Sequence, residues 1–142
     1  MKTRKNIRLK EYDYSKKGYY FVTICTNNMK NIFGEIKNNI MQYNQYGKLF
    51  KETIDSFNIN NVVIPFYQIM PNHLHIIFEF ENDLDKTLSK IISIFKSRCT
   101  YKIGLKNIWQ RGYYERIIRD EKEYNNIVKY IIENPYRDKY NW

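Results

Sequence analysis

Residues 62–80 have the sequence VVIPFYQIMPNHLHIIFEF, and this stretch decides the fold class. Its β-branched and aromatic side chains form two runs, Val62–Met70 and His73–Phe80, each of which predicts a strand. Pro71 and Asn72 lie between the two runs and favour a turn. The stretch therefore predicts an antiparallel β-hairpin.

The segment before this hairpin predicts two strands and a helix. Residues 19–26 form a β-branched and aromatic run, and residues 33–40 form a shorter one, so we expect a strand over each. Apolar side chains recur at steps of three and four over residues 42–57. This spacing predicts an amphipathic helix that covers the sheet.

The segment after the hairpin predicts two helices and one strand. We expect a helix capped by Asp83, a strand over residues 113–119 and a last helix over Glu121–Glu133, which Pro135 ends. The full order is β-β-α-β-β-α-β-α. It predicts an α+β fold in which an antiparallel sheet has its helices packed mainly on one face.

The length and composition are those of one globular domain. The 142 residues can close a core around one sheet, and 43% of them are hydrophobic. We expect a single domain over residues 1–142, in which the basic residues 1–14 form either a flexible arm that contacts phosphates or a frayed terminus. Cys25 and Cys99 have no companion at CxxC spacing, so we expect both to be reduced and buried.

The charge and the aromatic content predict a polyanionic partner. Lysine and arginine number 24 against 15 acidic residues, which gives a net charge of +9. This excess favours nucleic acid but does not separate DNA, RNA and an anionic membrane surface. The 14 tyrosines supply rings on which unpaired bases stack, which favours single strands. Because no apolar run suits a signal peptide or a membrane span, we expect a cytoplasmic protein without a membrane partner.

The chain contains two histidines, His73 and His75, separated only by Leu74. On a strand, residues two apart point to the same face about 6.5–7 Å from each other. Both imidazoles can then reach one ion while Leu74 enters the core, which makes half of a metal site. The alternative is that both histidines lie on the solvent face of a strand and bind nothing.

Three motifs together resemble one known family. They are PNHLH at 71–75, WQRGYYERIIR at 109–119 and YIIENP at 130–135. Residues 68–80 are similar to the histidine-hydrophobe-histidine strand of the HUH nucleases, and residues 95–135 resemble the second half of the REP-associated tyrosine transposases and their insertion-sequence relatives. The resemblance covers about residues 15–140. It implies a ferredoxin-like antiparallel sheet of the HUH nuclease type.

The resemblance also implies the residues of an active site. In the family the nucleophile is a tyrosine on the last helix, and the matching position is Tyr130, which composition alone does not separate from its neighbouring tyrosines. Asn134 follows one helical turn later, where its amide oxygen would be a third metal ligand. Insertion-sequence members usually place glutamine there, and the alternative is that Asn134 only ends the helix before Pro135. Glu133 is a weaker substitute for this ligand.

The family's chemistry uses a divalent ion, which we expect to be Mg²⁺ or Mn²⁺. Imidazoles alone would also accept Zn²⁺ or Ni²⁺. A phenol is a weak nucleophile at neutral pH, and the attacked phosphodiester accumulates negative charge that an ion offsets. The expected product is a 5′-phosphotyrosine with a free 3′-hydroxyl, and attack by a second 3′-hydroxyl rejoins strands.

Seven further residues are candidates for DNA contact. They combine aromatic rings with cations, a pattern suited to stacking bases and pairing with phosphates, and they are Lys96, Arg98, Arg111, Tyr113, Tyr114, Arg116 and Arg119. Arg111 and Arg116 are the stronger candidates. The alternatives are a strand that turns tyrosine and isoleucine inward and arginine outward, and, for Lys96 and Arg98, a solvated helix face.

We therefore expect a metal-dependent transposase that cleaves and rejoins single-stranded DNA at hairpins or repeats. The resemblance leaves both a homodimer and a single active chain open. Two other functions compete with this one. A rolling-circle initiator or relaxase shares the histidine strand but is usually longer, and a transposase descendant could be a non-catalytic DNA- or RNA-binding domain.

Overall fold

A computed structural model describes residues 12–133 of the chain. In chain order the elements are β1 (Gly18–Cys25), β2 (Gly34–Lys37), β3 (Ile40–Tyr43), α1 (Gln45–Asp55), β4 (Val62–Met70), β5 (His73–Phe80), α2 (Leu88–Ile103), β6 (Tyr114–Ile118) and α3 (Glu121–Glu133). The hairpin formed by β4 and β5 has the bounds that the sequence predicts. No helix within residues 12–133 has both the length and the apolar character needed to cross a membrane.

Four of the strands form one antiparallel sheet in the order β4-β5-β1-β6. The central pair is β5 and β1, which places His75 opposite Thr23 and His73 opposite Cys25. Residues directly opposite each other in an antiparallel pair point to the same face. The register therefore fixes which side chains share a face across the whole sheet. The remaining strands, β2 and β3, form a separate two-stranded sheet.

Helices cover both faces of the four-stranded sheet. On one face, α1 and α2 enclose the main core, whose fully buried aromatic side chains include Phe33, Phe50, Phe78 and Phe95. On the other face, α3 covers a smaller cluster of buried side chains, namely Phe21, Ile77, Ile118, Ile127 and Ile131. The predicted α+β fold with an antiparallel sheet is confirmed. Two of the described helices share a face as expected, and α3 is the exception.

The single strand predicted over residues 33–40 is wrong. β2 ends at Lys37, and Asn38 and Asn39 turn the chain into β3 with φ angles of 53° and 63°. Both angles lie in the left-handed region, which asparagine tolerates better than most other residues with a side chain. The pair Asn38-Asn39 is thus the signal of a hairpin rather than part of one strand.

The second helix begins later than predicted. Its N-cap is Thr87, whose side chain accepts a hydrogen bond from the backbone N–H of Lys90, and not Asp83. Asp83 instead accepts a 2.8 Å hydrogen bond from the backbone N–H of Lys17 and lies 3.6 Å from the ammonium of Lys16. It therefore fastens the segment before β1 rather than starting a helix.

The two cysteines lie in separate parts of the fold. Both Cys25 and Cys99 are buried, as predicted, and no disulfide joins them. Cys25 ends β1, whereas Cys99 lies on α2 in the main core. Burial raises the pKa of the Cys99 thiol well above its usual range, so this side chain behaves as a small apolar group.

Candidate active site

His73 and His75 lie on the same face of β5. Their ring centroids are 4.8 Å apart and their planes make an angle of 75°. Leu74, between them, is fully buried in the main core on the opposite face. The two imidazoles are thus close enough to share one ion, and the ion itself stays a prediction.

Each imidazole is held through its Nδ1 atom. His73 donates a hydrogen bond from Nδ1 to the side-chain oxygen of Asn72 at 2.8 Å, and the Nδ1 atom of His75 lies 3.0 Å from the Thr23 hydroxyl. Histidines that bind metals usually make such a bond with one ring nitrogen, which fixes the ring and directs the other nitrogen to the ion. If an ion binds, it would do so through the Nε2 atom of each ring.

The histidines are not on a solvent face. His73 is 3% exposed and His75 is 1% exposed. The ring of His75 also packs against Phe21, with centroids 5.7 Å apart. The alternative of two solvent-facing histidines is therefore wrong. Burying two polar rings is costly unless they are hydrogen-bonded, and the contacts with Asn72 and Thr23 meet that requirement.

Polar side chains cross the sheet at the level of His75. Gln68 on β4 lies opposite His75, Thr23 on β1 lies opposite His75 from the other side, and Tyr114 on β6 lies opposite Thr23. By this register all four side chains point to the face covered by α3. We call Gln68, His75, Thr23 and Tyr114 the polar row. Gln68 and Thr23 could not be predicted from the sequence, because their place beside His75 arises only when distant strands pair.

The last helix holds Tyr130 over this face. Tyr130 is half-buried and packs against the cluster that contains Phe21 and Ile77. The side-chain amide of Gln68 donates a hydrogen bond to the main-chain oxygen of Ile131 at 3.4 Å. This contact ties the turn that carries Tyr130 to the polar row beside His75.

The third metal ligand falls at the limit of the described chain. Asn134, which the resemblance assigns to this role, lies outside the described residues, as do Pro135 and residues 1–11 of the predicted basic arm. Glu133, the weaker substitute, is exposed at the last described turn. Between residues 12 and 133, no group of three or more histidine, cysteine, aspartate or glutamate side chains could hold an ion. The role of Asn134 stays a prediction.

The candidate DNA contacts on β6 and directly before it divide between the two faces. Tyr114 and Arg116 lie opposite Thr23 and Phe21, so they share the face of the histidines. Arg116 is exposed and Tyr114 is half-buried. Tyr113 belongs to the main core on the other side and is only 7% exposed. The expectation that Tyr113 stacks on DNA is therefore corrected: its ring is part of the core.

Arg111 lies near the histidines although it belongs to no strand. The neighbouring Gln110 donates its backbone N–H to the carbonyl of Cys25 at 2.9 Å, and Cys25 lies opposite His73. The backbone beside Arg111 is therefore two strand spacings, about 10 Å, from that of His73. The side chain of Arg111 is exposed. Its contact with DNA stays a prediction.

Arg98 and Arg119 lie away from the histidines. Arg98 on α2 donates a 3.2 Å hydrogen bond to the carbonyl of Asn58 and lies over the ring of Phe57 at 5.2 Å, on the main-core side of the sheet. Arg119 precedes α3, at the opposite end of that helix from Tyr130. The separation along the helix axis is about 15 Å. The structure does not bring either arginine to the polar row, and their DNA contacts stay predictions.

Lys96 on α2 turns inward. Its Nζ atom donates to the carbonyls of Gly112 at 2.9 Å and Gln110 at 3.3 Å. Burial lowers the pKa of the Lys96 ammonium to about 8, an effect that the nearby Cys25 partly offsets. The sequence analysis assigned Lys96 to phosphate contact, whereas in the fold its ammonium binds the main chain on either side of Arg111.

Comparison with known proteins places this geometry among DNA transposases. Residues 14–134 match the family of IS200-like transposases. A REP-associated tyrosine transposase of Escherichia coli is 31% identical over 129 residues, which cover 91% of this chain and 72% of that protein. An uncharacterized protein of Haemophilus influenzae is 36% identical over an alignment of 158 residues, which covers 93% of this chain and 88% of the relative.

A solved structure agrees with the sequence comparison. The structure of a REP-associated tyrosine transposase bound to a REP hairpin superposes with a TM-score of 0.69 at 26% identity. The superposition covers 90% of this chain and 72% of that one. The matched region of the family, residues 14–134, includes both histidines and Tyr130.

Proposed function

Because the chain belongs to the family of IS200-like transposases, we propose that it cleaves and rejoins single-stranded DNA through a covalent bond between Tyr130 and a 5′-phosphate. One observation carries the proposal: Gln68 ties the turn that holds Tyr130 to the row that contains His75. The proposed nucleophile and the two imidazoles proposed to bind the metal lie on one face of the sheet. That combination suits phosphoryl transfer better than simple DNA binding.

The proposed metal site consists of His73 and His75 with Asn134 as the third ligand, and the expected ion is Mg²⁺ or Mn²⁺. When bound, such an ion offsets the negative charge that gathers on the phosphate oxygens. The chain's own contribution is orientation. Asn72 and Thr23 fix the imidazoles, and the packing of α3 keeps the phenol over the same face.

In the proposed cleavage, the phenol oxygen of Tyr130 gives up its proton and attacks phosphorus. The bond from phosphorus to the 3′ oxygen breaks, and that oxygen takes up a proton, which leaves a 5′-phosphotyrosine. In rejoining, the 3′-hydroxyl of another strand attacks the same phosphorus, and Tyr130 leaves and regains its proton. One phosphodiester is exchanged for another at each step, so no ATP is needed.

The proposed substrate is single-stranded DNA that contains a hairpin or repeat. The net charge of +9 favours a polyanion, and the similar solved structure is that of a protein bound to a REP hairpin. The best-placed candidates for contact are Arg111, Tyr114 and Arg116, because they lie nearest the histidines or on the same face. A homodimer stays a prediction.

Tyr130→Phe tests the proposed nucleophile. The change removes one oxygen and almost no volume, so folding and DNA affinity should survive. The parent chain, incubated with a labelled single-stranded hairpin and Mn²⁺, should form a protein–DNA adduct that resists denaturing electrophoresis, and the variant should form none. Tyr124→Phe, at another half-buried tyrosine of α3, is the matched control and should keep the adduct. An adduct on Tyr130→Phe, or DNA mapped to Tyr114 or Tyr124, would overturn the assignment.

A further inference from the structure

We propose that Lys96 is a positioning residue that fastens the segment 108–112 against α2 and so directs Arg111 toward the DNA phosphate nearest the histidines. The inference rests on the proposed function for the identity of the substrate. Lys96 then affects DNA binding indirectly, through the main chain, and does not contact a phosphate itself.

The ammonium of Lys96 joins the two carbonyls that flank Arg111. It donates to Gln110 on one side at 3.3 Å and to Gly112 on the other at 2.9 Å. A side chain that holds both neighbours of a residue limits the positions that the residue's own side chain can reach. Arg111 is exposed, so this restriction acts on a guanidinium that faces solvent.

The rest of the segment is fastened from two other directions. On the sheet side, Asn27 donates its backbone N–H to the carbonyl of Ile108 at 2.7 Å, and Gln110 pairs with the end of β1. On the helix side, the indole of Trp109 donates to the hydroxyl of Thr100 at 3.1 Å. Lys96 adds a third attachment at the end of the segment, where the main chain turns through Gly112, whose φ is 81°. That left-handed angle is one that a glycine adopts without strain.

A lysine suits this role because of its length and its number of donors. Its ammonium carries three N–H groups on a flexible stem, so it can reach from a helix to two carbonyls of a neighbouring segment. Placing a charge in such a partly buried position is costly, and the lowered pKa of Lys96 reflects that cost. The two carbonyl contacts and the nearby Cys25 partly offset it.

The location of the segment connects this contact to the chemistry. Gln110 pairs with Cys25, and Cys25 lies opposite His73, so the segment continues the sheet at the level of the histidines. An arginine held there can pair with a phosphate beside the one that Tyr130 attacks. A loosely held arginine at the same position would bind more weakly, because ordering it would cost conformational entropy on binding.

A double-mutant cycle on hairpin binding separates positioning from direct contact. The variants are Lys96→Met, Arg111→Gln and the double variant, each measured over a range of salt concentrations. Arg111→Gln should weaken binding about fivefold and reduce the salt slope by about 1. Lys96→Met should do much the same, and the double variant should be no weaker than Arg111→Gln alone. Effects that multiply, with a salt slope reduced by about 2, would overturn the proposal in favour of two separate phosphate contacts.

Two controls keep the result interpretable. Lys90→Met removes an exposed charge from the same helix and should change binding less than Lys96→Met does. Thr100→Val removes the acceptor for Trp109 without changing charge, so it should also weaken binding through the loosened segment. If Lys96→Met does not fold, Thr100→Val and its double variant with Arg111→Gln complete the same cycle. If Thr100→Val and Lys96→Met both bound the hairpin with full affinity, the proposal for Lys96 would be overturned. A parent chain that binds the hairpin but forms no adduct would contradict only the proposed function.

Discussion

The two faces of the four-stranded sheet differ in what they bury. The face under α1 and α2 packs rings against rings: Phe50 lies 4.4 Å from Phe33, centroid to centroid, and 6.3 Å from Phe95. The face under α3 buries two histidines and a threonine in addition to its small apolar cluster. One helix, with Ile127 and Ile131 as its buried residues, covers that face.

Because of this contrast, we expect the α1–α2 face to provide stability and the α3 face to carry the reaction. A face that is mainly apolar gains free energy from burial with little cost of removing polar groups from water. The stability gained there offsets the cost of placing hydrogen-bonded imidazoles beneath α3 on the other face. We therefore expect substitutions in the apolar core of the α1–α2 face to change folding, and substitutions on the α3 face to change the reaction.

The largest effect should follow from replacing a histidine of the polar row. His75→Gln keeps a polar side chain but removes the imidazole, so Mn²⁺ affinity and adduct formation should each fall by at least about 100-fold. The midpoint of thermal unfolding without metal should change little by comparison. Isothermal titration with Mn²⁺ measures the affinity directly, independently of any DNA reaction.

Thr23→Val is the matched variant for the same site. It removes the hydroxyl that lies 3.0 Å from Nδ1 of His75 and keeps nearly the same volume. Loss of such a partner typically lowers metal affinity 10- to 100-fold, so we expect an effect of about that size. If His75→Gln bound Mn²⁺ as tightly as the parent, the α3 face would not be a metal-binding face, and the comparison would fail.

A smaller and more informative effect should come from paired core variants. Phe50→Ala on the α1–α2 face should lower the free energy of unfolding by about 3–5 kcal/mol. The rate of adduct formation per folded molecule should stay unchanged. Ile131→Ala on the α3 face should lower stability less, because its cluster is small, but should slow adduct formation about tenfold or more by displacing the turn that carries Tyr130.

Urea unfolding and single-turnover adduct formation measure the two quantities separately. Phe50→Leu, which removes less volume, is the substitute if Phe50→Ala does not fold. Equal slowing of adduct formation by both variants would show that the two faces are coupled rather than independent.

The elements that the sequence predicted well are those with strong local signals. β4 and β5 needed only their β-branched runs and the turn at Pro71-Asn72, and α3 was predicted over Glu121–Glu133, ahead of Pro135. The wrong predictions concern a turn inside a strand-like run and the residue that caps a helix. The pair Asn38-Asn39 lies inside one longer run typical of a strand, and Asp83 is of a residue type that favours the N-cap position although Thr87 is the actual cap.

The residues of the candidate site also divide into those with a local sequence signal and those without one. His73 and His75 could be predicted because residues two apart on a strand share a face. Gln68, Thr23 and the partners of Lys96 could not, because each contact joins elements that are distant in sequence and depends on strand order and register. Tyr113 directly precedes β6, and its burial in the main core likewise depends on how this strand pairs with β1, which the local sequence does not decide.

The smallest expected effect is a pH dependence of stability that belongs to Lys96. Folding lowers the pKa of its ammonium from 10.5 to about 8, mainly through burial. Between these two values the unfolded chain binds more protons than the folded chain, so the contribution of Lys96 to stability increases as the pH rises from 8 toward 10. The neutral amine keeps two N–H groups, so its hydrogen bonds to Gln110 and Gly112 can persist.

We compare the thermal unfolding midpoints of the parent and Lys96→Met at pH 7 and at pH 9. The parent should gain on the order of 2 °C more than the variant over this interval. The interval stops short of about pH 10, because burial raises the pKa of Tyr20 and loss of the tyrosine proton in the unfolded chain then acts in the opposite direction. A gain in Lys96→Met equal to that in the parent would mean that the ammonium is not buried against the main chain. The segment that carries Arg111 would then have to be held by its contacts with β1 and Thr100 alone.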